Sequence, residues 1–196
     1  EKIELIKKAI EITKDGILNI LDNMKPGIIE YETEAYFDFA LKMRGVKNTA
    51  FDTIAASGIN GTILHYVDNN RKTEDGDLIL YDLGAEYKYY KADISRTFPV
   101  NGKFTERQKQ IYNIVLRAMK AVEEAAKPGL PYKELNEIAK KTLAEGCKEI
   151  GLIKEDSEIS KYYYHGVAHY LGLDTHDVGT YDVELKPGMV ITNEPG

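Results

Sequence analysis

The sequence predicts an α+β fold made of two similar αβ halves around an antiparallel sheet. The pattern of two helices followed by strands occurs twice along the chain. The tripeptide KPG, which is predicted to end a helix at 25–27, recurs 102 residues later at 127–129. The stretch GDLILYDLG at 76–84 resembles GMVITNEPG, which lies 112 residues further along. An internal duplication of one αβ unit, with a loop insertion, explains both offsets.

The duplication predicts repeats of roughly 1–102 and 103–196 within a single domain that covers the whole chain. It also matches Asp82 with Glu194. Two units related by a pseudo-two-fold axis would bring these two carboxylates together from opposite sides and make them parts of one site. Chance is the alternative explanation, because KPG is a common helix stop and occurs a third time at 186–188.

Two helices are predicted at the start of the chain. The first ends at the KPG of 25–27, and Gly16 interrupts it at a cost of ~1 kcal/mol. The second covers 33–44. Their inward faces carry apolar residues at helical spacing, which are Ile3, Ile6, Ile10, Ile17, Leu21 and Met24 in the first helix and Phe37, Ala40 and Leu41 in the second.

Residues 51–100 have the composition and alternation of strands. They are rich in Tyr, Ile, Thr and Gly, and polar residues alternate with apolar ones. The segment LILYDL at 78–83 is predicted to be a buried strand that contains Asp82 near its end. A turn over 84–87 then returns the chain, and Asp93 lies on the returning strand.

Helical periodicity returns after Thr105, which is predicted to form a capping box with Gln108. This third helix ends at the KPG of 127–129, and a fourth helix follows it. Strand and loop character fills the remainder of the chain. The apolar faces are Ile111, Ile114, Val115, Ala118 and Val122 in the third helix and Leu135, Ile138, Ala139, Leu143, Cys147 and Ile150 in the fourth.

The composition excludes several classes of partner. The chain is 43% hydrophobic and 30% charged, as is ordinary for globular proteins. No apolar run approaches ~20 residues, so no membrane partner is expected. The net charge of −6, without a cluster of basic and aromatic residues, argues against nucleic acid. The single cysteine, Cys147, excludes an internal disulfide and is consistent with a reducing, cytoplasmic location.

Asp82 and Asp93 are the first candidate site residues. Antiparallel pairing of their strands can set the two side chains beside each other on one face. Two adjacent carboxylates repel each other, so such a pair needs a counter-charge or a shared proton. The alternative is that both are solvated strand ends.

The histidines favour a site. Imidazole is the commonest nitrogen ligand for a transition metal and the usual proton carrier near neutral pH. An isolated histidine more often has a core or surface role, but these histidines share the chain with strand-end carboxylates. Gly166 and Gly172 permit close backbone approach between them. The histidines are His65 in SGINGTILHY and three in HGVAHYLGLDTHD, namely His165, His169 and His176.

Carboxylate oxygens with one imidazole form a hard ligand set, which suits Mn²⁺ or Fe²⁺, with Co²⁺ and Zn²⁺ as rivals. A carboxylate held between two metal ions ~3.5–4 Å apart is a recurring device for activating water. Water bound in this way loses a proton near neutral pH and provides a hydroxide nucleophile. The remaining histidines can then hold substrate or move protons.

Three motifs resemble the pita-bread metallopeptidases, in their Xaa-Pro aminopeptidase and prolidase branch: YDLGAEYKYYKADISRTFPVNGKFT, HGVAHYLGLDTHDVG and VITNEPG. The resemblance covers nearly the whole chain and keeps the family's motif order. It implies two pseudo-two-fold-related αβ halves around a curved antiparallel sheet. It also implies a metal-dependent hydrolase that releases the N-terminal residue from peptides with proline at the second position, by attack of metal-bound hydroxide.

The resemblance further implies a role for each candidate residue. Asp82 would chelate one metal ion and Asp93 would bridge two, most often manganese in this branch. His169 and Glu194 would be terminal ligands, and Glu194 would also be the partner of the attacking water. Phe51 would line the pocket for the first substrate side chain. The residues that would bind substrate and the tetrahedral intermediate are His65, His165 and His176.

The branch of the family follows from local motifs. His165, four residues before His169, points to the proline-directed branch rather than to methionine aminopeptidases. NGKFTERQKQIYNIVL and GLDTHDVGTYD look more like aminopeptidase P than prolidase. Xaa-Pro dipeptidase activity remains the alternative. A second alternative is a non-catalytic family member that only binds partners. Against it, the candidate metal ligands and active-site histidines that fall within this chain are all present.

The family places a second bridging glutamate beyond the position of Glu194, and an N-terminal domain that helps to build oligomers. Neither lies within this sequence. We therefore expect a catalytic domain without its C-terminal strands, with a weakened second metal position, little activity and open sheet edges. For the full-length protein we expect a homo-oligomer. The native metal and the preferred first residue are not determined by the sequence.

Overall fold

In a computed structural model that describes residues 1–196, the chain forms two compact units. Unit 1 comprises Glu1–Phe104 and Leu171–Thr175, and unit 2 comprises Thr105–Tyr170 and His176–Gly196. None of the helices combines the length and the apolar composition that crossing a bilayer demands.

Unit 1 begins with two helices, α1 (Lys2–Asn23) and α2 (Glu30–Met43). Helix α2 starts three residues before the predicted position, because the Glu32 carboxylate accepts the Ile29 amide at 2.7 Å and caps the helix start. A Cβ atom on Gly16 of α1 would overlap the ring of Phe37, which is fully buried. From the sequence, Gly16 was expected only to weaken α1. In the structure, its lack of a side chain allows α1 and α2 to pack closely.

Five strands follow in unit 1: β1 (Ile54–Ser57), β2 (Leu78–Leu83), β3 (Glu86–Tyr87), β4 (Tyr90–Lys91) and β5 (Ile94–Pro99). Three of them form an antiparallel sheet in which β2 lies between β1 and β5. The short pair of β3 and β4 forms a hairpin between β2 and β5.

The predicted strand and its antiparallel return are confirmed, but two details of the prediction are wrong. The turn lies at Lys88 and Tyr89 rather than over 84–87, and both residues have left-handed backbones, with φ of 48° and 71°. This is the geometry of a tight two-residue hairpin turn. Strand β2 is fully buried on one face only, at Ile79, Tyr81 and Leu83, whereas the other face is partly buried and its Leu80 packs against a smaller apolar cluster.

Unit 2 contains α3 (Glu106–Ala125) and α4 (Tyr132–Glu149). The predicted capping box is confirmed: the Gln108 amide donates to Thr105 Oγ1 at 3.2 Å, and the Thr105 amide donates to Gln108 Oε1 at 2.8 Å. The core of this unit packs the two helices against the segment that follows them, and Cys147 is buried in it as expected.

The strands predicted for unit 2 are not present as ladders. Tyr170 and Ile191 form only an isolated antiparallel bridge. The Thr192 amide donates to the His169 carbonyl at 2.9 Å, but the His169 amide donates to the Thr192 hydroxyl, also at 2.9 Å. Because this return bond goes to a side chain instead of a carbonyl, the regular exchange of backbone bonds is interrupted at this pair.

The two units repeat one bridge where the chain leaves each KPG. An isolated antiparallel bridge joins Ile29 to Lys72 in unit 1, and another joins Pro131 to Glu184 in unit 2. Pro131 stands 102 positions after Ile29, and Glu184 stands 112 positions after Lys72. These are the offsets of the two repeated sequence motifs. The internal duplication stays a prediction, and the repeated bridge favours it.

Candidate active site

The two aspartates of unit 1 are held by the pairing of β2 with β5. Asp82 lies opposite Ser95 in this pairing, and the Ser95 hydroxyl donates to Asp82 Oδ1 at 3.0 Å. Asp93 directly precedes β5 and stands two residues before Ser95. Since side chains alternate along a strand, Asp93 belongs to the face of the sheet that carries Asp82 and Ser95.

His169 and Glu194 are in contact within unit 2. Glu194 Oε1 lies 3.0 Å from His169 Nε2, and both side chains are largely shielded from solvent, at 28% and 15% exposed respectively. His169 Nδ1 lies 3.0 Å from the Tyr170 carbonyl oxygen. A carbonyl can only accept a hydrogen bond, so the contact at Nδ1 requires a proton there. The carboxylate oxygen is also an acceptor, so the contact at Nε2 is a hydrogen bond when Nε2 is protonated as well. A metal ion bound through Nε2 would take the place of that second proton, while the carbonyl would keep the ring in its orientation.

Thr192 orients this pair and was missed by sequence reasoning. Its hydroxyl donates to Glu194 Oε1 at 2.8 Å and accepts the His169 amide at 2.9 Å. The Ser95 hydroxyl likewise donates to the carboxylate of Asp82, from the neighbouring strand, and Ser95 was also missed. A signal for both existed in the sequence, because Thr192 stands two residues before Glu194 and Ser95 two residues after Asp93. Polar residues at this spacing share one face of an extended chain.

The other two histidines of unit 2 lie on aromatic neighbours. The ring of His176 meets the ring of His169 edge-on, with 4.5 Å between their centroids. The ring of His165 lies edge-on to Tyr163 at 4.8 Å, and its Nδ1 lies 2.9 Å from the Gly166 carbonyl oxygen. Both rings thus have fixed neighbours.

The segment after His176 wraps around Tyr170. The Tyr170 hydroxyl donates to the Thr180 carbonyl at 2.8 Å, and the Asp177 amide donates to the Tyr170 carbonyl at 3.0 Å. A Cβ atom on Gly179 would overlap the Tyr170 ring, so only glycine allows the segment to approach so closely. Tyr170 therefore sets the backbone from which His176 projects.

The remaining candidates lie in unit 1. His65 is exposed and has a left-handed backbone with φ of 54°, which few residues other than glycine adopt. Phe51 is partly buried just before β1.

The structure places His169 in contact with Glu194 and with the ring of His176, and the strand pairing puts Asp82 and Asp93 on one face. The structure does not bring three or more His, Cys, Asp or Glu side chains close enough to hold a metal ion. The donor types nevertheless suit a hard divalent cation, because they combine carboxylate oxygens with an imidazole whose Nδ1 is held by a backbone carbonyl and whose Nε2 faces a carboxylate.

Comparisons with known proteins agree with these features. The model of metallopeptidase family M24 matches residues 4–196. The Xaa-Pro aminopeptidase of Escherichia coli is 39% identical over 207 residues, covering 100% of this chain and 47% of the relative. The Xaa-Pro dipeptidase of Pyrococcus furiosus is 41% identical over 200 residues, covering 100% of this chain and 54% of the relative.

A solved structure gives the same result for the fold. A Bacillus anthracis protein, itself assigned only provisionally as an aminopeptidase P, matches with a TM-score of 0.99 and 64% identity. The match covers 100% of this chain and 47% of that one. The resemblance read from the motifs and the α+β, pita-bread fold class are thereby confirmed. The chain spans about half the length of the relatives it matches.

Proposed function

The chain belongs to metallopeptidase family M24, and on this premise we propose that the protein carrying it is a metal-dependent Xaa-Pro aminopeptidase. Such a hydrolase releases the N-terminal residue of a peptide whose second residue is proline. The similarity to the E. coli Xaa-Pro aminopeptidase along the whole chain supports this substrate class.

We propose that two divalent metal ions, Mn²⁺ by preference and otherwise Fe²⁺, Co²⁺ or Zn²⁺, are held by Asp82, Asp93, His169 and Glu194. The observation that carries this proposal is the position of His169, whose Nδ1 contacts a backbone carbonyl while Nε2 lies 3.0 Å from the Glu194 carboxylate. When bound, such ions lower the pKa of a water molecule so that a nucleophile exists near neutral pH.

The other residues would act on the substrate and on protons. Glu194 would receive the proton of the attacking water, and the Thr192 hydroxyl holds its Oε1 in place. His65, His165 and His176 would bind the peptide and stabilise the charge that develops on the carbonyl oxygen. Phe51 would line the pocket for the first side chain.

Xaa-Pro dipeptidase activity is the second candidate, because the relative from Pyrococcus furiosus carries that name at 41% identity. A peptide series separates the two activities. The full-length protein that carries this chain is assayed with Mn²⁺ on Xaa-Pro-Xaa tripeptides and on Xaa-Pro dipeptides. Preference for tripeptides supports the aminopeptidase, preference for dipeptides supports the dipeptidase, and hydrolysis of neither contradicts the proposal.

Metal binding tests the ligand set separately. We expect Asp82→Asn and His169→Ala to weaken Mn²⁺ binding at least tenfold in calorimetric titrations. Asp75→Asn is the matched control, because Asp75 is an exposed carboxylate of the same unit that only accepts the Asn101 side-chain amide. Equal affinity in all four proteins, including the wild type, would exclude these residues as ligands.

Location and assembly are further parts of the proposal. We propose that the protein acts in the cytoplasm and forms a homo-oligomer, without a membrane or nucleic-acid partner. The single buried thiol of Cys147 suits a reducing compartment. Light scattering of the purified protein measures the oligomeric state directly, and a monomer at all concentrations would contradict that part.

A further inference from the structure

A fully buried carboxylate that is not among the residues proposed for catalysis lies in unit 1. Glu30 occupies the first position of α2 and is 0% exposed. Burying an ionised carboxylate is unfavourable unless hydrogen bonds replace the lost water. At a helix N-terminus the helix dipole also favours the negative charge. A buried charge of this kind holds its donors in place.

The donors all come from the segment that carries His65. Glu30 Oε1 accepts the Ser57 amide and the Ser57 hydroxyl, both at 2.7 Å, and the Asn60 side-chain amide at 3.1 Å. Glu30 Oε2 accepts the Tyr66 hydroxyl at 2.7 Å and the Arg71 amide at 2.9 Å. One carboxylate thus binds the start, the middle and the end of the segment 57–71.

These bonds leave Glu30 ionised at neutral pH. Burial by itself would raise the pKa of Glu30, but the hydrogen bonds donated by Ser57, Tyr66 and Arg71 outweigh burial and lower the pKa below 4.5. The Arg71 guanidinium adds a second layer, since it donates to the Ser57 hydroxyl at 2.8 Å and to Asp77 at 2.5 Å.

Apolar packing holds the segment only at Tyr66, whose ring packs with Ile54 and Ala56 of β1. Only Tyr66 and Asn69 are buried between residues 58 and 70. Asn69 is tied to β1 through the Ala55 amide at 3.0 Å. The aliphatic side chains of the segment are all at least half exposed, namely Ile59 (71%), Ile63 (52%), Leu64 (53%) and Val67 (50%).

His65 directly precedes Tyr66 and has the left-handed backbone described above. Such a backbone persists at a residue with a side chain only when its surroundings determine it. The nearest fixed point along the chain is the hydrogen bond from the Tyr66 hydroxyl to Glu30. The backbone of His65 is therefore directly followed by the residue that binds the buried carboxylate of Glu30.

We propose that Glu30 is a positioning residue for His65: its buried carboxylate fixes the segment 57–71 and so sets the backbone from which His65 presents its imidazole. The importance of this placement for peptide hydrolysis rests on the function proposed above. Glu30 itself touches neither His65 nor a substrate group, so its effect passes through Tyr66 and the loop backbone.

Two substitutions test the proposal in the whole chain. Glu30→Gln keeps the shape but replaces one acceptor oxygen with a donor, and Tyr66→Phe removes only the hydroxyl next to His65. Glu32→Gln is the matched control, because Glu32 lies on the same helix and caps it but is exposed and does not bind the loop. Histidine ring NMR signals and amide hydrogen exchange are measured.

We expect Glu30→Gln to shift or broaden the His65 ring signal and to speed amide exchange at residues 59–70 at least tenfold, while β2 amides keep their protection. Tyr66→Phe should move the His65 signal in the same direction, and it stays informative if Glu30→Gln does not fold. Glu32→Gln should leave both readouts unchanged. An unmoved His65 signal in a folded Glu30→Gln or Tyr66→Phe protein would overturn the proposal.

The proposed function can fail independently of this positioning role. His65→Ala is assayed in whichever length of the protein hydrolyses Xaa-Pro peptides. Full activity of that variant would remove His65 from catalysis, yet the NMR and exchange results would still report whether Glu30 fixes the loop. If His65 does act on the substrate, we expect Glu30→Gln to lower kcat at least tenfold, and Glu30→Asp to recover part of the loss.

Discussion

Substitution of Gly84 by alanine tests how the two aspartates of unit 1 are brought to one face. Gly84 lies between Asp82 and Asp93, directly after β2. A Cβ atom there would lie 2.6 Å from the carbonyl carbon of Ala92 and closer still to its oxygen. On the other side it would lie 3.1 Å from the Ala50 side chain. The backbone of Ala92, just before Asp93, therefore packs directly against Gly84.

The cost of Gly84→Ala follows from these distances. Ordinary contact begins at 3.4 Å, so the Ala92 carbonyl carbon would have to retreat by about 0.8 Å and the nearer oxygen by more. Such a shift strains the bond from the Ala92 amide to the Ala85 carbonyl, which measures 3.0 Å. Overpacking costs about 1–3 kcal/mol and a lost backbone bond about 0.5–1.5 kcal/mol. Alanine also restricts the unfolded chain more than glycine does, which stabilises the folded state by about 0.4–1 kcal/mol. We therefore expect the free energy of unfolding to fall by about 2–3 kcal/mol in total.

Urea unfolding followed by circular dichroism measures this loss of stability. Gly61→Ala is the matched control in the same unit, because its Cβ would meet only the Ala56 carbonyl oxygen at 3.6 Å and its φ is not in the left-handed region. We expect no loss for the control and at least tenfold weaker Mn²⁺ binding for Gly84→Ala, since Asp93 follows the displaced residue. A free energy of unfolding within about 0.5 kcal/mol of wild type would refute the reasoning.

Three further predictions concern stability. Gly16→Ala improves helix propensity by ~1 kcal/mol, but the added methyl group overlaps the buried Phe37 ring. We therefore expect the free energy of unfolding, measured in urea, to fall by about 1–2 kcal/mol. Adding Phe37→Leu should restore part of that stability. Thr105→Ala removes the cap of α3 and should lower the free energy of unfolding by about 1 kcal/mol; an unchanged melting temperature would contradict this. Because the pKa of Glu30 is lower in the folded state, its stabilising effect is complete above about pH 4.5 and is lost as the pH falls through the folded-state pKa. The stability difference between wild type and Glu30→Gln should therefore shrink in acid, and a constant difference from pH 7 to pH 3 would argue against it.

Local features of the fold were predictable from the sequence. The capping box of Thr105 and Gln108 needs only residues three positions apart, and the helix faces follow from helical spacing. Strand β2 was predicted at its observed bounds because its pattern is flanked by turn residues. The full burial of only one face of β2 was not predicted, because an apolar run does not reveal which side meets the core.

Features that depend on distant residues were not predictable. Gly16 is an unfavourable residue within a helix by local rules, and only the Phe37 ring on α2 explains its presence. The segment GMVITNEPG reads as a strand, but the Thr192 hydroxyl takes the place of a carbonyl acceptor and stops the ladder. The candidate site residues were proposed from motifs, whereas Thr192 and Ser95, which contact them, were recognised from the structure although their spacing is visible in the sequence.

The two units use different chemistry at one equivalent position. Tyr132 stands 102 positions after Glu30, and each is the first residue of the second helix of its unit. Glu30 holds the loop of His65 with hydrogen bonds, whereas Tyr132 stacks on Tyr170 at 5.5 Å between ring centroids. Tyr170 in turn holds the segment after His176 through Gly179 and Thr180. The first residue of the second helix thus supports a histidine-bearing segment in each unit, by a buried charge in one and by ring stacking in the other. Because a buried charge needs each of its donors while stacked rings depend on shape, we infer that the His65 segment tolerates less substitution than the segment of His176.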